Sequence, residues 1–313
     1  MNYSSFRQRL DAVMLVSGPA IPGQGEDSAC CVSDDSAAMV SVFDGCGGLG
    51  ARTYPGFQDH TGAYLASRLL SGAAHDWFFT PGRDQHAPAE ALRGVFTAAY
   101  AAAQPFAAGQ SLLRGSMVRD LPSTAALAYA RPGQGGVELH VVWAGDSRVY
   151  LLDRMGLAQL TADDVDGTDA LSGITGDGAL TNVISSDGNY TLHSRALLLT
   201  EPTMVLAATD GCFGYLRTPM EFEYLLLSHL VRAQNPQDYR RRLNAAFGRI
   251  AGDDYSLGIM SFHFSDFSSQ QRFFGPRAQS LYDYYVHPLE QSSDAALRQR
   301  LWASYRPGYE RCL

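Results

Sequence analysis

The stretch Val42-Phe43-Asp44-Gly45-Cys46-Gly47-Gly48 constrains this chain more than any other. A β-branched residue and an aromatic lead into one carboxylate, and glycines follow at once. That order describes a strand that ends by delivering Asp44 to a place other groups must approach closely. Three later stretches repeat the pattern: Trp143-Ala144-Gly145-Asp146-Ser147-Arg148, Ala208-Thr209-Asp210-Gly211 and Ala251-Gly252-Asp253-Asp254-Tyr255-Ser256. Each sets a carboxylate beside an apolar run, a glycine or both. An isolated Asp-Gly pair signals a turn and little else. All four together, in strand context, point to carboxylates that converge on divalent cations, because Mg²⁺ and Mn²⁺ prefer oxygen ligands.

Strands are predicted over 11–17, 29–33 and 37–43, with a Gly/Pro loop over 18–25. This meander brings Glu26 and Asp44 toward a shared end, since the hairpin between them reverses the chain. Helical spacing follows over 61–70, and Pro88 suits the first turn of a second helix over 88–104. Further strands are expected over 125–130, 137–142 and 149–152, and a short one within 155–161. Between Ala162 and Asn189 the pattern dissolves into Asp, Gly, Ser and Thr and reads as a surface flap. Strands over 190–199 and 203–208, helices over 220–231 and 236–250, and a strand over 257–264 close the series. Strands and helices segregated in this way imply an α+β fold: an α-β-β-α sandwich of two antiparallel sheets flanked by helix pairs.

That domain takes residues 1–265. Residues 266–313 form an extension rich in aromatics and Arg, with a helix over 293–302 capped by Ser293. The extension reads first as a segment packed back on the domain. Its second reading is a site for a protein partner, since aromatics and Arg are enriched at interfaces.

At 313 residues, 46% hydrophobic and 18% charged, the chain is long and apolar enough for a folded core. A net charge of -8 argues against a general nucleic-acid binder, whose footprint is basic. Every basic side chain is Arg, with no Lys in the sequence. The first residues lack the basic-then-apolar order of a secretory signal, and no run is apolar enough for a membrane span. Five cysteines, without metal-type spacing, read as free thiols in a reducing compartment. The expected location is cytoplasmic.

In order along the chain, these motifs resemble the metal-dependent protein phosphatase family (PPM, or type 2C), including its bacterial Ser/Thr phosphatases. Glu26-Asp27 resembles the early acidic pair, and residues 42–48 the Asp-Gly-His-Gly-Gly motif. Ser123-Thr124-Ala125 resembles the Ser-Thr-Ala strand start, Ala144 to Arg148 the Gly-Asp-Ser-Arg motif, and Leu160-Thr161-Ala162-Asp163 the Leu-Thr-x-Asp turn. Thr209-Asp210-Gly211 is similar to Ser-Asp-Gly, and Asp253 to Ser256 to the closing acidic motif. The resemblance runs from about Asp11 to Phe264. It implies two Mn²⁺ or Mg²⁺ ions, with Asp44 bridging both. Asp210 and Asp253 complete one ion, Glu26 and the Gly45 carbonyl serve the other, and Asp146 helps hold a weaker third. It further implies hydrolysis of phosphoserine and phosphothreonine in proteins by a metal-bridged water, with a phosphorylated protein as substrate. The alternative is a catalytically silent phosphatase-like domain that binds a partner.

The sequence departs from the family in three places. Cys46 stands where relatives commonly carry a His taken as general acid, so the leaving group would draw its proton from water; His60 could fill that vacancy but reads first as a surface residue at a helix start. No Arg precedes Glu26 to hold phosphate. Asn182 and Ser185 sit where a less specific Arg…Gly pattern is often found. Cys46 and Arg52 also have the spacing of a cysteine-phosphatase loop, but Asp44 would repel both thiolate and phosphate there.

Overall fold

A computed structural model describes residues 4–81, 87–107, 120–166 and 178–313. The predicted surface flap lies partly outside these residues. A short helix, α1 (Ser4–Arg7), precedes β1 (Leu10–Gly18), β2 (Ser28–Ser33) and β3 (Ala38–Phe43). A small hairpin, β4 (Thr53–Tyr54) and β5 (His60–Thr61), leads into α2 (Gly62–Phe79) and α3 (Pro88–Ala107). Four strands follow: β6 (Ala125–Gly133), β7 (Gly136–Ala144), β8 (Arg148–Asp153) and β9 (Gly156–Gln159). Then come β10 (His193–Leu199), β11 (Thr203–Ala208), α4 (Pro219–Arg232), α5 (Pro236–Ile250) and β12 (Tyr255–Phe262).

The strands form two five-stranded antiparallel sheets, ordered β1-β12-β11-β8-β9 and β10-β7-β6-β3-β2. Side chains alternate across each strand, so one sequence feeds two cores. From β3 and β6, Ala38, Val40, Val42, Ala126 and Ala128 face the other sheet, where Val149, Leu151, Val205, Ala207 and Met260 meet them. The intervening Met39, Phe43, Leu127 and Tyr129 face α2 and α3. On the opposite side Tyr150, Leu152, Leu206, Leu257 and Ile259 face α4 and α5. Strands buried on both faces explain the nearly unbroken apolar runs at β3, β11 and β12. The predicted α-β-β-α sandwich is the observed fold.

Several boundaries differ for local reasons. Helix α2 runs to Phe79, well past 70, because Ala74, Trp77 and Phe78 continue its buried face. Its start is capped by Thr61, whose hydroxyl accepts the Tyr64 N–H at 3.1 Å. Within the predicted flap, Ile184 is buried and exchanges backbone hydrogen bonds with Ser123 at 2.9 and 3.0 Å. That long-range pairing leaves no local signal in the sequence.

Beyond β12 lie α6 (Phe267–Leu281), a π-helical turn (Tyr282–Val286), α7 (His287–Glu290) and α8 (Ala295–Tyr309). Asp294 caps α8 by accepting the Ala296 N–H at 2.9 Å, in place of Ser293. Phe274, Leu281, Leu289, Trp302, Tyr305 and Tyr309 are buried in the same core as α4 and α5. These residues pack back on the domain, as the first reading expected. No helix among the described residues is long and apolar enough to cross a membrane.

Candidate metal centre and active site

Strand register gathers the carboxylate-bearing turns at one end of the sandwich. Ser28 pairs with Phe43, which sets Asp27 opposite Asp44. Ala125 pairs with Ala144, Ala208 with Arg148, and Ala208 with Leu257. The turns that carry Asp146, Asp210 and Asp253 therefore open on the same side as Asp44. Two glycines let the turns close. Gly145 has φ +93°, and a Cβ there would press into the Thr124 side chain. A Cβ on Gly211 would overlap the Asp254 carbonyl, so only glycine lets the Asp210 turn lie against the Asp253-Asp254 turn.

The Asp44 backbone is fixed by the Ser-Thr-Ala segment. Its carbonyl accepts the Ser123 hydroxyl at 2.9 Å and the Thr124 N–H at 2.8 Å. The Thr124 hydroxyl reaches across to the Ser147 hydroxyl at 2.7 Å, which ties the Asp44 and Asp146 turns together. Gly45 is buried and bridges to Ser123. On the far side Thr209 donates to Asp27 at 2.8 Å and accepts the Ser256 N–H at 2.9 Å.

These carboxylates crowd one another. Loss of hydration raises Asp44 well above the ordinary carboxylate range, and Asp27, Asp210, Asp146 and Asp253 push it further. Asp27 is pushed up to about 7, chiefly by burial, against the hydrogen bonds from Thr209 and Ser256. Asp146 also rises to about 7 through burial, then Asp210 and Asp163, with Arg148 opposing. Burial and Asp253 raise Asp210, whose side chain shares a hydrogen bond with Asp44. Glu26 lies nearer the rim. Burial raises it, its carboxylate accepts the Thr61 hydroxyl, and Asp254 and Asp253 add repulsion.

Asp44, Asp210, Asp146, Asp253 and Asp27 are thus electrostatic neighbours, with Glu26 joined to the Asp253-Asp254 turn. They do not form a closed coordination shell: among the described residues no three His, Cys, Asp or Glu side chains stand together as a group that would hold an ion. The chemistry of the donor set still fits hard divalent cations. It offers oxygen ligands alone, carries excess negative charge, and is offset chiefly by Arg148 and, near Glu26, by Arg68.

A cavity of about 430 Å³ opens beside Glu26 and Asp253 and is lined also by Asp59, His60, Tyr64 and Asp254. His60 faces this cavity, with its ring stacked on Tyr64 at 3.7 Å between centroids. Arg68 covers Tyr64 at 3.4 Å and donates to the Gly25 carbonyl at 2.9 Å. Cys46 lies beside the same carboxylates. Burial and the Asp44 and Asp146 carboxylates hold its thiol well above the ordinary range, and Arg52 pairs with Asp120 and lies over Tyr54.

Sequence reasoning undervalued Asp27, Asp254 and Asp164. Asp254 is buried and accepts the backbone N–H groups of Ala20, Glu26 and Asp27. Asp164 accepts the Gly145 N–H at 2.9 Å, an Asn182 amide hydrogen at 2.7 Å, and pairs with His193 at 2.9 Å. Asn182 is therefore a support of the Asp146 turn. The available signal is the doublet: each of these acids stands beside a second one, in Glu26-Asp27, Asp253-Asp254 and Asp163-Asp164.

No protein-family model matches the sequence, and no curated protein is similar to it in sequence. Solved structures are similar in fold. A bacterial serine phosphatase superposes with a TM-score of 0.60 at 14% identity, covering 81% of this chain and 98% of that one. The serine/threonine phosphatase Stp1 from Staphylococcus aureus gives 0.59 at 15% identity, covering 81% and 95%. The catalytic domain of the serine/threonine phosphatase PstP, solved with two manganese ions, gives 0.55 at 17% identity, covering 81% and 99%. The fold is that of the bacterial PPM-type Ser/Thr phosphatases.

Proposed function

We propose that this chain is a Mg²⁺- or Mn²⁺-dependent protein phosphatase that hydrolyses phosphoserine and phosphothreonine. The observation that supports it most is the meeting of Asp27, Asp44, Asp146, Asp210 and Asp253, from five turns, at one end of the sandwich. Asp44, on which Asp27, Asp210, Asp146 and Asp253 all act, is assigned the bridging place. Asp210 and Asp253 would hold one ion, Glu26 and the Gly45 carbonyl the other, and Asp146 would help hold a third. Bound ions would neutralise phosphate oxygens and ready a water for attack, which is the help phosphate ester hydrolysis needs most.

The residues themselves supply position and exclusion. Asp254 and Thr209 set Glu26 and Asp27, while Ser123 and Thr124 set Asp44. Cys46 stands in place of the family's His, and we assign proton delivery to His60, which lines the same cavity as Glu26 and Asp253. The substrate is a phosphorylated protein, in keeping with the names of the structural neighbours.

A second reading, a silent domain that binds a partner, draws on one observation: no group of three ligating side chains is preformed among the described residues. Hydrolysis of p-nitrophenyl phosphate by the purified chain separates the two. Turnover that requires Mn²⁺ and stops with EDTA supports the enzyme; a folded sample without metal-dependent turnover supports the silent domain.

A further inference from the structure

Arg148 lies two residues after Asp146 and is 1% exposed. Its Nε donates to both Asp163 oxygens at 3.0 Å and its Nη2 to Asp163 Oδ2 at 2.6 Å. The face of the guanidinium lies 4.3 Å from the ring centre of Phe213, which directly follows the Asp210-Gly211-Cys212 turn. Arg148 therefore sits between two of the turns that carry candidate ligands. Its remaining edge is met from the far end of the chain: Nη1 donates to Tyr309 Oη, and also to Tyr150 Oη, at 3.4 Å. Tyr309 in turn donates to Gln159 Oε1 at 2.8 Å, and Gln159 Nε2 donates to Asp163 Oδ1 at 2.9 Å. The ring Arg148–Tyr309–Gln159–Asp163 closes inside the protein.

We infer that Tyr309 is a positioning residue for the Asp146 and Asp210 turns, which makes helix α8 a working part of the site. The effect on turnover rests on the phosphatase reading; the mechanical coupling does not.

The placement of Tyr309 is held from both sides. One helical turn earlier, Tyr305 donates to Glu223 Oε2 at 2.6 Å. Glu223, fully buried on α4, takes two further hydrogen bonds from Arg277 of α6 at 2.7 and 2.8 Å. Just past the helix, Arg311 donates to Asp153 Oδ1 and the Gly156 carbonyl, both at 2.9 Å, and so grips the β8–β9 hairpin. Tyr309 thus arrives at Arg148 in a fixed register. Without its hydroxyl, Gln159 Oε1 loses its donor and Arg148 Nη1 keeps only Tyr150 as acceptor. A buried polar group left unpaired costs more than the bond it made, so the turns on either side of Arg148 would loosen.

The test is Tyr309→Phe in the full chain, read by hydrogen exchange without metal and by Mn²⁺ dependence of turnover. Exchange over residues 144–148 and 209–213 is expected to quicken about fivefold, as losing roughly one net buried hydrogen bond implies, with residues 62–79 unchanged. The Mn²⁺ concentration for half-maximal turnover should rise by a similar factor while KM at saturating Mn²⁺ stays put. Tyr284→Phe, at a residue 70% exposed, should change neither. Gln159→Leu breaks the ring from β9 with the α8 sequence intact and should reproduce both effects, which guards against misfolding of the first variant. Unchanged exchange at 144–148 and 209–213 in either folded variant overturns the inference, as does a Tm loss with no shift in Mn²⁺ dependence. If the wild type itself lacks metal-dependent turnover, the phosphatase reading falls and exchange alone decides the coupling.

Discussion

The Asp254 carboxylate accepts the backbone N–H of Glu26, and those of Ala20 at 2.7 Å and Asp27 at 3.4 Å besides. One buried side chain thereby anchors the loop between β1 and β2 and sets the direction in which Glu26 and Asp27 enter the site. A carboxylate suits this task because both oxygens accept.

Replacement of Asp254 should therefore grade with acceptor number. Asp254→Asn keeps one acceptor oxygen, and Asp254→Ala keeps none. Thermal unfolding should show Ala losing about 2 kcal/mol and Asn about half of that. Mn²⁺-dependent turnover should fall in the same order. Equal behaviour of the two variants would mean that the loop does not depend on this side chain.

Asp210→Asn separates activity from stability. An amide in place of the carboxylate removes repulsion from Asp253 and can donate to Asp44, so metal-free Tm should hold or rise. Turnover should drop about a hundredfold or more, since a ligand and its charge are lost together. Wild-type turnover in this variant would remove Asp210 from the metal centre.

His60→Gln tests proton delivery through the leaving group. A p-nitrophenolate leaves without a proton, whereas a serine alkoxide needs one. The variant should hydrolyse p-nitrophenyl phosphate nearly as wild type does and a phosphoserine peptide about a hundredfold or more slower, the usual range for lost acid catalysis. A uniform loss on both substrates would reassign His60 to the cavity wall.

Away from the site, Asp11 gives a pH signature in stability. Burial lifts its carboxyl to about 6 from an ordinary 3.8, while the hydrogen bond from the Phe264 N–H opposes. The folded pKa lies above the unfolded one, so the folded chain holds this proton more tightly. That contribution is full below about pH 3.8 and is lost as pH rises through about 6. Asp11 is half-exposed, so screening reduces the effect to about 1 kcal/mol. Urea unfolding should find Asp11→Asn more stable than wild type at pH 8 and converging with it at pH 4. A pH-independent difference would rule out titration of Asp11 as its source.

Much of this was readable from the chain because strand ends advertise themselves. Phe43-Asp44-Gly45 and Ala208-Thr209-Asp210-Gly211 each switch from buried strand to turn at the acid, and antiparallel pairing then leaves few ways to arrange the ends. What stayed hidden depends on direction or distance. Sequence does not tell which member of Asp253-Asp254 turns inward; here Asp253 is exposed and Asp254 buried. Nor does it pair Ile184 with Ser123, or Tyr309 with Arg148. The helix expected over 293–302 runs on through Pro307 and Gly308 to Tyr309, with Tyr305 and Tyr309 buried on its inner face.

Crystals of the chain soaked in Mn²⁺ and measured at the manganese edge give the most direct measurement. Anomalous peaks in contact with the carboxylates of Asp44 and Asp210, with a second ion reaching Glu26, are the expected result. Peaks absent from Asp44 at saturating Mn²⁺, or found only at surface carboxylates elsewhere, would contradict a metal centre at this end of the sandwich.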